Sequence, residues 1–484
     1  MTHLIVLLMV VAVGASSGPA ETVGWLPSWA QDALGVAQEH VVLTTLTGFA
    51  ALLLPCWGEV ARCSRRMDRT GRAKWVRRAD RALLLMQWGV LGWLAFACYG
   101  RGWLGAVRSA TGDTVALDEV LALAPAVVAL TLLWLVFWPV ERRIREAMQF
   151  NRLDAGEPVH PIGGRWTYTS DQLRTHAGPT LIAAMLLFGW IECVDLLSPR
   201  FTEGLGSSGD AVTGVVLGAG AVAIVAVLPV VWRLVWRTRR LPEGALRDEL
   251  DALCARHNVR VGDLLVWETR GVLLNGALVG VVPRLRYILL TDALLERLDA
   301  RQVEAVMAHE IAHAKHRHIP WLIATVLISV GLISSVVSLV IAEAAALPAG
   351  WETWVAGGAS IVGAGLMLGM VSRRFEQQAD AFAAQHLALA RTGEPDPTIE
   401  AGDAQGMMGA LEAVARFNHI PPAKRSFRHG SIRARQRRLQ RLVGARRSSV
   451  PVDGFVRWLK RSVLVAGAVM GLLLWRFPEA GALL

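Results

Sequence analysis

Hydrophobic and polar positions in this chain segregate into long blocks. Apolar runs at 40–57, 82–104, 119–140, 179–198, 211–236, 319–342, 353–371 and 462–477 are separated by charged stretches. A hydrocarbon core about 30 Å thick takes about 20 helical residues to cross, so these runs predict spanning helices, the first and last being short. Two longer hydrophilic stretches, 237–318 and 372–461, interrupt the series. In the first, Leu246, Leu250 and Leu253 recur at helical spacing. Leu264–Thr269, Ala277–Val282 and Arg286–Leu290 then read as short strands, punctuated by Arg270-Gly271 and Pro283. Asp299, with Gln302 three positions on, predicts a capping box opening a helix through about His318. The second stretch reads as helical at its start and is crowded with Arg beyond Lys424. The expected fold class is mainly α: a polytopic transmembrane helical bundle with a small cytoplasmic α+β domain.

Composition agrees with that pattern. Hydrophobic residues make up 53% of 484 and charged residues 19%, which excludes a disordered chain and a secreted disulfide scaffold. The five cysteines are scattered without a CxxC pair, so neither a disulfide framework nor a cysteine zinc knuckle is expected. A net charge of +10 raises the question of nucleic acid, but the basic residues lie in blocks between apolar runs. That is the arrangement of topology signals, and no nucleic-acid partner is expected.

Arg62 through Arg81 and Arg142 through Arg174 fill two linkers with basic residues, whereas 105–118 carries only Arg108, 198–210 only Arg200, and 343–352 no Lys or Arg. Basic and non-basic linkers alternate, as the positive-inside rule requires of consecutive spans, and the alternation places 237–318 and 372–461 on the cytoplasmic side. The resulting division is 1–16, either a signal peptide or a short first transmembrane segment; 17–236, an N-terminal membrane domain of about five spans; 237–461, a domain interrupted by the spans 319–342 and 353–371; and 462–484, a C-terminal transmembrane segment.

The helix opened by Asp299 contains His309-Glu310-Ile311-Ala312-His313, an HExxH. Histidines at i and i+4 share one helix face and can converge on one metal ion, for which zinc is the default choice with a carboxylate as third ligand. Glu310, beside that face, can take a proton from water. Independent placement would yield such a pattern on the order of 0.01 times in a chain of this length, although chance HExxH pairs do occur on helix surfaces. His316, one turn on, stands where the longer HExxHxxGxxH pattern has Gly, and a third ligand from the same helix has poor geometry. Glu376, with Asp380 four residues later, is the better candidate: one carboxylate can bind metal while the other orients a ligating His. Two spans, an even number, separate His313 from Glu376, so both emerge on the same side of a bilayer.

At this point the chain resembles the integral-membrane zinc metalloproteases that include HtpX and the type 1 CAAX prenyl protease. The resemblance rests on HEIAH at 309–313, two spans, and E-x-x-x-D at 376–380. It is reinforced by Asn275-Gly276-Ala277-Leu278 before the metal helix. It implies a zincin-like metalloprotease domain with one zinc per chain. His309, His313 and Glu376 would be its ligands, Glu310 the general base and Asp380 the carboxylate behind a ligand. Asn275 corresponds to the strand that pairs with extended substrate, with Gly276 replacing the family's Ala. His429-Gly430-Ser431 followed by Arg435 is similar to the family's His-Pro stretch and its Arg, with Gly430 replacing Pro. His429 or Arg435 could then stabilise a developing oxyanion, while most of the surrounding Arg residues fit a surface near anionic lipid. The expected function is a membrane-embedded zinc endopeptidase acting on peptide or membrane-protein substrates in a bacterial inner membrane. The resemblance implies membrane-protein quality control, with a maturation protease for a lipidated or specific peptide, or a catalytically silent membrane scaffold, as the alternatives.

Overall fold

The computed structural model describes residues 9, 40–112, 114–154, 156, 158–205, 209–344 and 351–476. Of the segment 1–16 only Met9 falls among them. By packing the chain divides into two units, Met1–Trp236 and Arg237–Leu484.

The elements described in the first unit are helices: α1 Val41–Thr70, α2 Lys74–Arg101, α3 Trp103–Thr111, α4 Leu117–Asp154, α5 Arg165–Gln172, α6 Gly178–Leu205 and α7 Gly209–Val235. A five-residue π-helical turn, Leu173–Ala177, joins α5 to α6. α1, α2 and α4 pack around Leu94, Leu130, Leu133 and Trp134, while α6 pairs with α7. Large apolar side chains also face outward, among them Leu43, Leu54, Leu85 and Val222, as expected of helices solvated by lipid.

The second unit begins with β1 Thr238–Arg240, then α8 Ala245–Arg256, β2 Asp263–Trp267, β3 Gly276–Val279, β4 Tyr287–Thr291 and α9 Asp292–Arg297. Strand order is β1-β2-β4-β3; β2 runs parallel to β4 and the other pairs are antiparallel. β1 is the one strand that periodicity does not reveal, since three residues, Thr-Arg-Arg, carry no alternation. β3 forms an edge. Helices α10 Ala300–Lys315, α11 His318–Ala344, α12 Trp351–Thr392, α13 Ala401–Phe417, α14 Ile432–Gln440 and α15 Pro451–Arg476 follow.

The capping box is present: Asp299 accepts from the Gln302 backbone N–H at 2.8 Å and Gln302 accepts from that of Asp299 at 3.4 Å. The helix it opens ends at Lys315, earlier than periodicity predicts. Arg317 takes a left-handed φ of 54°, and the chain restarts as α11 with Pro320 in its first turn. Pro at a helix start loses no hydrogen bond, which makes this a favourable restart.

Among the described residues seven helices are long and apolar enough to cross a membrane, including α11 and the 355–392 part of α12. The expected span 462–477 falls on α15, whose described residues end at Arg476. The architecture is thus a helical membrane bundle carrying a small mixed α+β domain. α10 is buried among the sheet, α8, α12 and α13 through Val303, Met307, Ile311 and Phe382.

Candidate metal centre

α10 and α12 meet along faces that carry the chemistry. α10 presents His309, Glu310 and His313 from its last two turns. α12 is one uninterrupted helix from its apolar part through Glu376 and Asp380 to Thr392, so both acids sit on a long rigid rod. Glu376, Asp380, His309 and Glu310 are all buried.

Nε2 of His309 and Nε2 of His313 face each other at 3.3 Å. Glu376 closes the set, with Oε2 3.6 Å from His309 Nε2 and Oε1 3.7 Å from His313 Nε2. Two nitrogens bound tetrahedrally at about 2.0–2.1 Å from zinc would stand about 3.4 Å apart, so the imidazole pair has the spacing of a shared cation. Among the described residues His309, His313 and Glu376 form one of two groups of potential ligands that converge in this way; His316 is in neither.

The electrostatics agree. Burial alone would depress His309, but Asp380 and Glu376 outweigh it and hold that imidazole above its ordinary range. Burial pushes His313 down, opposed by Glu376 and reinforced by His309. The buried carboxylates thus give the centre a field that favours a cation beside the imidazoles. The residues fit a metal ion.

Behind the three lie further partners. Asp380 Oδ1 is 3.1 Å from His309 Nδ1, close enough for the carboxylate to hold that ring by charge, although the pair is off the line of a hydrogen bond. Arg435 of α14 is buried and donates to both Asp380 oxygens, at 2.8 and 2.6 Å, with Nη1 3.5 Å from Glu376. Its guanidinium is thus engaged by two carboxylates, in the position of a clamp on the acids. Burial opposes its charge, but Asp380 and Glu376 outweigh that and hold it even more firmly protonated than an ordinary Arg. His429 is half exposed on the Ser426–Gly430 turn, with Nδ1 3.0 Å from Glu376 Oε1.

Glu310 is buried, and burial raises its carboxyl above the ordinary range despite the opposing influence of His309. It accepts from the Leu278 backbone N–H at 2.8 Å. The backbone of Asn275 is spent on β4: its N–H donates to Thr291 Oγ1 at 3.0 Å and its carbonyl accepts from Thr291 N–H at 3.1 Å, while the residue itself is exposed. Leu278 N–H therefore points to the outer side of β3.

Three participants escape the sequence reading. His318 is buried with Nδ1 2.9 Å from His313 Nδ1, and its Nε2 is 3.0 Å from Gln378 Oε1. Gln378 Nε2 in turn donates to Asp453 Oδ1 of α15 at 2.6 Å. The helix predicted to run through His318 hid this contact; the break at Arg317 turns the ring back towards His313.

Residues 270–401 match peptidase family M48, so the metalloprotease family expected from the motifs is the one this chain resembles. A protease HtpX homolog of Aeropyrum pernix is 29% identical over 233 residues, covering 45% of this chain and 70% of the relative. The crystal structure of S. mikatae Ste24p aligns with 86% of this chain and 99% of its own at 15% identity and a TM-score of 0.43.

Proposed function

We propose that this protein is a zinc-dependent membrane endopeptidase with one zinc per chain, held by His309, His313 and Glu376. The observation that carries the reading is the convergence of His309 and His313 Nε2, 3.3 Å apart, on the Glu376 carboxylate. When bound, zinc supplies Lewis acidity toward a scissile carbonyl and lowers the pKa of water at the site. Glu310, with its carboxyl already raised, accepts the proton of the attacking water and passes it to the leaving amine. The outer edge of β3 offers backbone groups to an extended peptide, a mode that asks little of substrate sequence. His429, half exposed above Glu376, is the group placed to meet an oxyanion, whereas Arg435 and Asp380 position the ligands.

The alternation of basic and non-basic linkers supports a cytoplasmic active site in a bacterial inner membrane. The resemblance to the HtpX-like proteases favours hydrolysis of misfolded or damaged membrane proteins over maturation of a lipidated peptide. A complete set of ligands, base and positioning groups favours an enzyme over a silent scaffold. The test is purified full-length protein with one equivalent of zinc that cleaves casein, the cleavage being abolished by a chelator and by Glu310→Gln. Zinc binding without hydrolysis of any offered substrate would leave the scaffold reading. Proteomic comparison of polypeptides trapped by Glu310→Gln with those released by the native enzyme separates quality control from maturation.

A further inference from the structure

We propose that Asp453, on the C-terminal helix, sets the tautomer of the metal-ligating His313 through a relay of Gln378 and His318, making His318 and Asp453 positioning residues of the metal centre. The inference rests on the zinc reading above. Its logic runs inward from Asp453. An ionised carboxylate only accepts hydrogen bonds, so the Gln378 group 2.6 Å from Asp453 Oδ1 is the amide NH2. That leaves Gln378 Oε1 towards His318 Nε2 at 3.0 Å, and an amide oxygen only accepts, so His318 carries its hydrogen on Nε2. A neutral imidazole then has a bare Nδ1, which faces His313 Nδ1 at 2.9 Å and must accept from it. His313 is thereby held as the Nδ1–H tautomer, with the lone pair of Nε2 directed to the point shared with His309 and Glu376.

The two ligating histidines are therefore supported differently. His309 is backed by a carboxylate, Asp380, itself clamped by Arg435. His313 is backed by a neutral ring whose anion lies three hydrogen bonds away on α15. Because Asp453 lies beyond residues 270–401, the metal site draws on a segment outside the part of the chain that matches the peptidase family.

A packing role is the competing explanation, since the His318 ring stacks on Phe375 with centroids 4.3 Å apart and 6° between planes. Two substitutions separate them. His318→Leu removes the acceptor, whereas His318→Asn places an amide oxygen where Nδ1 stands. Zinc affinity of the full-length protein is measured by chelator competition, alongside thermal stability of the zinc-free form. His318→Leu is expected to loosen zinc about 10–100-fold, the usual cost of losing the partner behind a ligand. His318→Asn is expected to stay within about threefold of native under the same rule. Asp453→Leu, which frees the Gln378 amide to turn over, should also loosen zinc, and 15N spectra of His318 should then show a mixture of tautomers.

Equal losses in His318→Leu and His318→Asn would overturn the relay in favour of packing, as would native affinity in both. Unchanged affinity in Asp453→Leu would sever α15 from the metal site. Failure of the native protein itself to bind zinc would instead remove the function reading, so the two failures are distinguishable.

Discussion

The backbone N–H of Leu278 donates to the Glu310 carboxylate at 2.8 Å, tying the edge strand β3 to the proposed general base. Gly276 stands two positions earlier on the same strand, where a Cβ would meet Val306 Cγ1 at 2.9 Å and Glu310 Cγ at 3.6 Å. Val is stiff at χ1 and cannot yield cheaply. Gly276→Ala is therefore expected to push β3 off α10, destabilising by about 1–3 kcal/mol, the usual cost of overpacking. Casein turnover should fall with it. Adding Val306→Ala should recover both thermal stability and turnover; if the double variant stays as impaired as the single one, the close approach at Gly276 is not the cause.

Glu310→Gln should leave zinc bound and the Leu278 contact available, because the amide oxygen can still accept, yet lower kcat by about 10²–10⁴-fold as expected for loss of a general base. A kcat within about tenfold of native in Glu310→Gln contradicts that assignment.

Arg435 faces two buried acids, and removing one partner of a buried charged set costs about 3–5 kcal/mol. Arg435→Gln should accordingly weaken zinc binding and lower the melting temperature. Arg435→Lys keeps the charge but loses the fork that reaches both Asp380 oxygens, and should fall between. A native zinc affinity in Arg435→Gln is incompatible with the clamp.

For the third ligand, Glu376→Ala should abolish stoichiometric zinc while His316→Ala retains it. His316 terminates α10, and its backbone carbonyl accepts from Lys460 at 2.7 Å; its ring is not part of the converging set. Zinc retained in Glu376→Ala and lost in His316→Ala reverses the ligand assignment.

How far the sequence carries is decided by locality. HExxH was legible because i,i+4 geometry is a property of the helix alone. Its pairing with Glu376 could be anticipated because an even number of spans returns the chain to one side. The resemblance to the metalloproteases and the bundle-plus-domain fold rest on the same features. His318, by contrast, carries no such signal, because extending the helix from His313 turns it around the axis and away from the metal. Only the left-handed Arg317 and the restart at His318 bring it back. Pro320 was a signal for that restart. Gln378 and Asp453 had none, since a hydrogen bond 75 residues apart in sequence leaves no periodicity.

A second buried histidine pair predicts how stability responds to acid. His257 Nε2 lies 2.9 Å from His386 Nδ1, and His386 Nε2 lies 2.9 Å from Glu304 Oε1, joining α8, α12 and α10 behind the metal helix. His257 packs edge-on against Phe382, and burial, with His386 and nearby cations, pushes it down to about 3 from 6.5. Between those values the unfolded chain binds a proton that the folded chain refuses, so stability falls as pH drops from 6.5 toward 3 and is unaffected by this group above that window. The slope from this one group approaches about 1.4 kcal/mol per pH unit. His257→Gln, which keeps a polar partner for His386 but cannot titrate, should flatten the decline in melting temperature between pH 6.5 and 4. An unaltered decline would place the acid sensitivity elsewhere.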